Sequence, residues 1–266
     1  MTYYKKEWYN KKKKRKERAA REVVPVLLEL ISPETVVDVG CGDGTWLSVF
    51  EENGVTDYLG TDGDWIDQDL LQIPRENFHS VDLTMSTSFD RTYDLAVSLE
   101  VGEHLPPSAA DTFLNTLTSL SSVVLFSAAV PHQEGTHHVN EQWQKYWAER
   151  FQSRGYAAVD TLRRRLWEND HVHDFYRQNF VLYIEENTLA QLDIPEEDVV
   201  QDLGQLSVVH PDLFERKMTR FKKARRLVPG AISLRDVLRG LPRLIYRTIK
   251  RRITSDGSWK QHKKSS

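Results

Sequence analysis

The feature that most constrains the fold is the stretch TVVDVGCGDGTW at Thr35–Trp46. Its first five residues are rich in β-branched valine, which suits a buried central strand. The turn that follows has glycine at every second position: Gly40, Gly42 and Gly44. Because glycine has no Cβ atom, a ligand can approach the backbone of such a turn closely. Residues 45–53 then have helical composition and end at an Asn-Gly pair, so the pattern predicts a strand, a glycine turn and a helix.

Two aspartates near the turn narrow the choice of ligand, since a glycine-rich turn alone also occurs in phosphate-binding motifs and in ordinary tight turns. Asp38 lies inside the strand, where a buried carboxylate needs a hydrogen-bonding or cationic partner such as an ammonium group. Asp62 ends the next apolar run, twenty residues after Gly42, at the spacing where a carboxylate accepts hydrogen bonds from ribose hydroxyls. Together they favour a nucleoside ligand.

The motif D-x-G-x-G-x-G at residues 38–44, taken with Asp62, resembles motif I and the following acidic position of class I S-adenosylmethionine-dependent methyltransferases. The resemblance implies S-adenosylmethionine as cofactor. It also places Asp82 and the amide of Leu83 at the adenine, although an aspartate after a strand is common in any loop. The predicted cofactor-binding residues are Asp38, Gly40, Cys41, Gly42, Gly44, Asp62, Asp82, Leu83 and Glu100.

A second motif, E-x-x-E-H, contains Glu100, Glu103 and His104. It resembles the loop after the fourth strand of these methyltransferases, where Glu100 would lie beside the methionine end of the cofactor. If the chain is helical there, the three side chains share one face. Similar clusters are metal ligands in the 2′-O-methyltransferases of small-RNA 3′ ends. We favour hydrogen bonding around the cofactor and substrate. The less favoured alternative is a divalent-metal site formed by Glu100, Glu103, His104 and His138.

The third motif is FSAAVPHQEGTHHVNEQWQKYW, residues 126–147, which follows the fifth predicted strand. In a doubly wound sheet this position lies at the carboxyl edge, where ligands bind. The segment resembles the F-S-A-A-x-P-x-Q-x-G-x-x-H-V-N-E-Q-W pattern of bacterial methyltransferase-like proteins associated with surface-polysaccharide or glycosylation functions, and His138 takes the histidine position. A hydroxyl acceptor needs a base, and imidazole titrates near neutral pH. The predicted catalytic residues are His138, His104 and Glu103.

Short apolar runs alternate with helical stretches, which is typical of βαβ units and a parallel sheet. Strands are predicted at 35–39, 57–61, 78–81, 93–99, 123–128, 157–162 and 180–184, the last antiparallel as the resemblance implies. Helices are predicted at 8–31, 109–120 and 141–154, with a kink or restart at Pro25. The predicted fold is a doubly wound, Rossmann-like α/β sheet of seven mostly parallel strands, with helical basic N- and C-terminal arms.

Charge is segregated along the chain, although the formal net charge is only −3. Residues 1–21 carry ten Lys or Arg against two acidic residues, and residues 216–266 carry seventeen against two. Residues 22–215 carry nine against thirty-five. We therefore predict a basic N-terminal arm, a methyltransferase domain and a basic tail with these bounds. The arms either fold back on the acidic body or bind an anionic partner, and the amphipathic residues 231–253 either dock on the domain or lie on an anionic membrane surface.

Cysteine usage and hydropathy point to a cytoplasmic protein. Cys41 is the single cysteine, which excludes an intramolecular disulfide and a cysteine-rich zinc cluster. No run of about 18 apolar residues occurs, and no apolar stretch follows the first basic residues, so neither a membrane span nor a signal peptide is predicted. Peripheral association with the inner membrane face, through the tail, is a further option.

The sequence thus predicts an S-adenosylmethionine-dependent methyltransferase that methylates an oxygen of a small polar, sugar-like or glycan acceptor. The histidine-rich loop favours oxygen, because an amine needs less help from a base. One alternative is a metal-assisted RNA 2′-O-methyltransferase, but the acidic body would repel a polyanion, so nucleic acid is the less favoured partner. Another alternative is a non-catalytic scaffold protein that keeps the cofactor fold without turnover.

Overall fold

The computed structural model describes residues 3–225, with the environment of the side chains from residue 13 onwards. The strands are β1 (Thr35–Val39), β2 (Asp57–Asp62), β3 (Phe78–Ser80), β4 (Leu95–Leu99), β5 (Val123–Ser127), β6 (Tyr156–Val159) and β7 (Val181–Glu185). The α-helices of the described part are α1 (Tyr3–Ile31), α2 (Thr45–Glu52), α3 (Ala110–Leu120), α4 (Gln144–Gln152), α5 (Thr161–Leu166), α6 (Asp174–Asn179), α7 (Glu186–Leu189) and α8 (Pro211–Arg225). None of these helices has the length and apolar character needed to span a membrane.

All seven strands belong to one sheet with the order β3-β2-β1-β4-β5-β7-β6. The neighbours from β3 to β5 are parallel, whereas β7 runs antiparallel to both β5 and β6. The chain starts in the middle of the sheet and builds first towards β3 and then towards β6. The strand order therefore reverses between β1 and β4, where a ligand crevice forms at the carboxyl ends of parallel strands. The predicted fold class is confirmed.

Apolar side chains on the two faces of the sheet form two separate cores. On β1, Val36 packs into one core, while Val37 and Val39 pack into the other. The first core contains residues of α1, α2, α5 and α6, and the second contains residues of α3 and α4. Because helices cover both faces, only the two ends of the strands are left to loops, and ligands bind such sheets at the carboxyl end.

Helix α1 is longer and more continuous than its sequence predicts. It runs from Tyr3 to Ile31 and includes Pro25, where a kink or restart is expected. Val23, Val24 and Leu27 are fully buried, so packing on both sides of the proline holds the helix in place. The predicted limit of the basic arm at residue 21 lies inside this helix, and the predicted tail segment 231–253 lies outside the described residues.

Two smaller differences concern element ends, and the chain also divides into compact units. Helix α4 begins at Gln144 and not at 141, and the preceding residues Val139 and Asn140 donate their amides to the loop after β4. Strand β3 pairs with β2 over three residues only. The two compact units are residues 1–213 and 214–266.

Gly44, in the turn between β1 and α2, and Gly54, after α2, both have left-handed backbones but differ in the space around them. Gly44 has a left-handed backbone with φ +74°, and a Cβ atom there would lie 2.8 Å from Ile73 Cγ1. Gly54, after α2, has φ +97° but open space around the position of a Cβ atom. A substitution at Gly54 therefore tests backbone strain alone, whereas a substitution at Gly44 tests backbone strain together with steric overlap.

Gly54→Ala should lower the free energy of unfolding by about 1–2 kcal/mol, the cost of a left-handed L-residue. Gly44→Ala should lower it by about 1–3 kcal/mol more, because the new methyl group overlaps Ile73. Urea unfolding of both variants measures the difference. An equal loss in the two variants would mean that Ile73 moves aside without cost.

Candidate functional site

The glycine turn is fastened to the end of β2 by backbone hydrogen bonds. The amides of Gly40 and Cys41 both donate to the carbonyl oxygen of Thr61, at 2.7 and 3.0 Å. The amide of Gly42 donates to Oδ2 of Asp62 at 2.8 Å. The structure thus brings the predicted glycine motif and its predicted acidic partner into direct contact.

Two buried carboxylates face this turn. Asp38 is 2% exposed, and burial, reinforced by the charge of Asp62, raises its pKa to about 8. Burial also raises the pKa of Asp62, although the amides of Gly63 and Gly42 donate one hydrogen bond to each of its oxygens. Each oxygen of Asp62 keeps a lone pair for a hydroxyl donor. The pair fits a ligand that brings both hydroxyl groups and a positive charge.

The other predicted cofactor-binding residues differ in how far they are committed elsewhere. The Cys41 thiol is buried, and burial raises its pKa, so it acts as a small apolar group. Asp82 is exposed, and its Oδ1 accepts hydrogen bonds from the hydroxyl and amide of Thr84, which lower its pKa. Leu83 is buried. The adenine role of Asp82 and Leu83 stays a prediction.

Glu100 occupies a strained position directly after β4. Its backbone has φ +57°, and the helical turn begins only at Gly102, so the condition for one helical face shared with Glu103 is not met. Oε1 of Glu100 accepts a hydrogen bond from Asn179 at 3.0 Å, and Oε2 accepts one from Gln133 at 2.6 Å. Burial raises the pKa of Glu100.

Glu103, His104 and His138 form a compact cluster, with one potential ligand atom from each within 4.8 Å of the others. The rings of the two histidines are perpendicular with centroids 4.9 Å apart, and Nε2 of His138 lies 3.9 Å from Oε1 of Glu103. The Glu103 side chain is 1% exposed, and neither of its oxygens has a hydrogen-bond partner of normal geometry within the described residues. Burial and then the charge of Glu100 raise the pKa of Glu103. Burial and then the neighbouring His138 lower the pKa of His104.

Glu141 organises the histidine-rich loop after β5. Its Oε1 lies 2.8 Å from Nδ1 of His138 and also accepts a hydrogen bond from the amide of Glu134 at 2.9 Å. Its Oε2 accepts one from the amide of His132 at 2.7 Å. Because an ionised carboxylate only accepts, Nδ1 of His138 carries a proton, so in the neutral imidazole Nε2 is the nitrogen that can accept one. The histidine is thus fixed in tautomer and orientation.

The loop after β5 is joined to the loop after β4. The amides of Val139 and Asn140 donate to the carbonyl oxygen of Glu103 at 2.8 and 3.0 Å. In the same contact region, Nδ1 of His104 lies 3.3 Å from the carbonyl oxygen of His137. The second and third sequence motifs therefore form one structural unit. Within the described residues, positive φ angles outside glycine occur at Ser32, Glu100, His132, Glu134 and His137. Four of these five belong to the joined loops, as is common at functional sites.

Three residues of the site carried no functional prediction. Gln133 and Asn179 hold Glu100, and Nζ of Lys16 lies 3.1 Å from Oδ1 of Asp43 in the glycine turn. No sequence pattern distinguishes Gln133 and Asn179 from other amide residues, because only the fold brings them together. Lys16 is the last residue of a basic run, where its charge looks like that of its neighbours.

Comparisons with known proteins identify the family and the fold. A family model described as a methyltransferase domain matches residues 12–171, which is more than half of the 266 residues. No curated protein matches the sequence. Solved structures that share the fold include DesVI of Streptomyces venezuelae, which is 12% identical with a TM-score of 0.50, over 66% of this chain and 94% of that chain.

Two other similar structures are methyltransferases by their descriptions. The methyltransferase domain of bacterial CtHen1 is 17% identical with a TM-score of 0.47, over 63% of this chain and 98% of that one. The magnesium protoporphyrin IX methyltransferase of Synechocystis PCC 6803, with S-adenosylmethionine bound, is 19% identical with a TM-score of 0.44, over 64% and 78%. The chain belongs to the methyltransferase-domain family, and the class I S-adenosylmethionine-dependent methyltransferase predicted from its glycine motif is confirmed.

Proposed function

We propose that the protein transfers the methyl group of S-adenosylmethionine to a hydroxyl oxygen of a small polar acceptor of the sugar-like or glycan type. The observation that carries the proposal is the pair formed by His138 and Glu141 at the carboxyl edge of the sheet. His104 contacts His138, and Val101 of the same loop packs against Gly40, so the histidines and the glycine turn lie at one edge of the sheet.

The pair of His138 and Glu141 has the geometry of a general base with its orienting carboxylate. Methyl transfer to oxygen is an in-line displacement, for which the protein must align the hydroxyl and remove its proton. Nε2 of His138 accepts that proton, and the charge of Glu141 stabilises the imidazolium that results. Glu103, near Nε2, favours the same positive charge when it is ionised.

S-adenosylmethionine supplies the methyl group on a sulfonium that is already activated for transfer. We assign Asp38 to the ammonium group of the cofactor and Asp62 to its ribose hydroxyls. Glu100, held by its two amide partners, is assigned to the methionine end. The glycine backbone lets the cofactor approach closely, because Gly40 and Gly42 have left-handed φ angles and no Cβ atom.

The surroundings of His138 suit an uncharged polyhydroxyl acceptor. Trp143 follows His138 in the same loop and is 42% exposed, so its aromatic face is accessible for stacking on a sugar ring. The excess of acidic residues between positions 22 and 215 disfavours a polyanion such as RNA. The basic charge of residues 216–266 extends this proposal. We propose that the protein is cytoplasmic and that its tail binds an anionic membrane surface, where lipid-linked acceptors are found.

A second candidate is metal-assisted methylation, which one observation favours. A fully buried carboxylate such as Glu103, whose oxygens have no hydrogen-bond partner of normal geometry among residues 13–225, is costly unless a cation compensates it. Glu103, His104 and His138 offer one oxygen and two nitrogen ligands, a set that suits divalent zinc, manganese, iron or cobalt. Such an ion would orient the acceptor and lower the pKa of its hydroxyl. The two mechanisms exclude each other at Nε2 of His138, because a metal-bound nitrogen cannot take up a proton.

The raised pKa of Asp38 predicts a conflict between stability and cofactor binding. The folded, cofactor-free protein keeps the Asp38 proton up to about pH 8, whereas the unfolded chain releases it near about pH 4. The stability contributed by this proton is fully present below about pH 4 and is lost as the pH rises through about 8. Asp38→Asn should therefore raise the melting temperature at pH 8 by about 3 °C, equivalent to about 1 kcal/mol, while weakening cofactor binding at least about tenfold.

Melting temperatures between about pH 5 and 9 and calorimetric titration with S-adenosylmethionine measure both effects. Asp90→Asn, which removes an exposed carboxylate, is the matched control and should change neither quantity. If the wild-type protein and Asp38→Asn lose stability with the same pH dependence, Asp38 is not the destabilising group.

His138→Ala should lower the rate of methyl transfer to a hydroxyl by about 10² to 10⁴, with cofactor affinity nearly unchanged. The assay follows a radiolabelled methyl group into a panel of free sugars, sugar nucleotides and amines, with mass spectrometry of the product. His137→Asn is the control, since asparagine tolerates the left-handed φ of +62° at that position. Label that enters only amines, or full activity of His138→Ala, would refute base-assisted O-methylation.

Cobalt(II) tests the metal alternative through a readout other than activity. If the cluster binds a metal, one equivalent of cobalt should produce visible absorption bands and raise the melting temperature, and Glu103→Gln should abolish both changes. Glu141→Gln leaves the three ligands in place and serves as the comparison. Absence of bands together with full activity in the presence of a chelator would eliminate the metal mechanism.

A further inference from the structure

Helix α1 delivers a lysine to the glycine turn. Ala19 and Val23 of this helix are fully buried in the core that also contains α2. That packing places Nζ of Lys16 3.1 Å from Oδ1 of Asp43, whose side chain is 6% exposed. The Lys16 side chain remains 35% exposed, so its ammonium group pairs with Asp43 and is still accessible to a ligand.

The ammonium group lies over the open side of the turn. A Cβ atom built on Gly42 would be 3.2 Å from Nζ of Lys16, with no other heavy atom of the described residues within 4 Å. The direction in which a glycine leaves room for a ligand is therefore the direction in which Lys16 lies. A cofactor that approaches the backbone at Gly42 meets this lysine.

The charges around the turn are unbalanced in a way that suits this contact. Three carboxylates surround it, and the positive charge of Lys16 acts on all of them: Asp38, Asp43 and Asp62. The cofactor carries a sulfonium, an ammonium and a carboxylate. When the cofactor is bound and Asp38 is ionised, the three aspartates favour its two positive groups but repel its carboxylate, which needs a cation at the same turn.

We propose that Nζ of Lys16 binds the carboxylate of the amino-acid part of the cofactor. Asp43 holds the ammonium group of Lys16 at the turn before the cofactor enters. The proposal rests on the S-adenosylmethionine site described above. A charge-assisted hydrogen bond between the two groups contributes directly to affinity. It makes α1 a part of the cofactor site and not a separable basic arm.

Calorimetric titrations with three ligands test this contact: S-adenosylmethionine, S-adenosylhomocysteine, and decarboxylated S-adenosylmethionine, which lacks only the carboxylate. Lys16→Met should bind the first two about 10- to 100-fold more weakly than the wild-type protein and bind the decarboxylated ligand within about twofold of it. Lys16→Gln, which keeps a hydrogen-bond donor for Asp43, should behave in the same way if Lys16→Met does not fold. Lys14→Met removes an equal charge from an exposed position of the same helix and should change none of the affinities.

Each outcome separates this contact from the cofactor site itself. Equal losses for the ligands with and without the carboxylate would show that Lys16 supports the turn and does not bind the carboxylate. Unchanged affinities in Lys16→Met would remove Lys16 from the site while leaving the cofactor assignment intact. Failure of the wild-type protein to bind S-adenosylmethionine would instead overturn the cofactor site on which the proposal rests.

Discussion

The burial of carboxyl groups at the carboxyl edge of the sheet is the constraint on which the rest of the site depends. Asp38, Asp62 and Glu103 are each less than one-tenth exposed, and burial raises the pKa of all three. A folded chain keeps such groups only where donors or a ligand compensate the lost hydration. Backbone amides do this for Asp62. For Asp38 and Glu103 such compensation would come from an added positive charge, which is the reason for assigning the cofactor ammonium group to Asp38.

The two loops that complete the site obtain their order from each other. The carbonyl oxygen of Glu103 accepts two amides from the histidine-rich loop, and Glu141 ties that loop to itself through His138 and two further amides. Left-handed backbone conformations at residues such as His137 cost free energy, and these hydrogen bonds compensate that cost. The imidazole of His138 is therefore held in one orientation in advance, as the proposed proton transfer from an acceptor requires.

Local patterns predicted the fold well because short apolar runs and turn residues mark each strand and most helices in the sequence. The glycine turn and Asp62 were predictable for the same reason, since their spacing is set by one βαβ unit. Contacts between distant segments were not. Glu100 turns away from a helical face to meet Asn179, 79 residues later, and Lys16 reaches the turn only because α1 packs on α2. A proline that normally ends a helix is tolerated at Pro25 because tertiary packing outweighs local preference.

The antiparallel direction of β7 has a consequence for the order in which the chain can fold. Because β7 lies between β5 and β6, the strand made last is inserted between two strands made earlier. Until residues 181–185 leave the ribosome, the edge of β5 is open and β6 has no neighbour in the sheet. The reversed direction also brings Asn179, at the amino end of β7, to Glu100. A nascent chain can therefore form the glycine turn early, but it completes the hydrogen bonds that hold Glu100 only after nearly the whole domain has been synthesised.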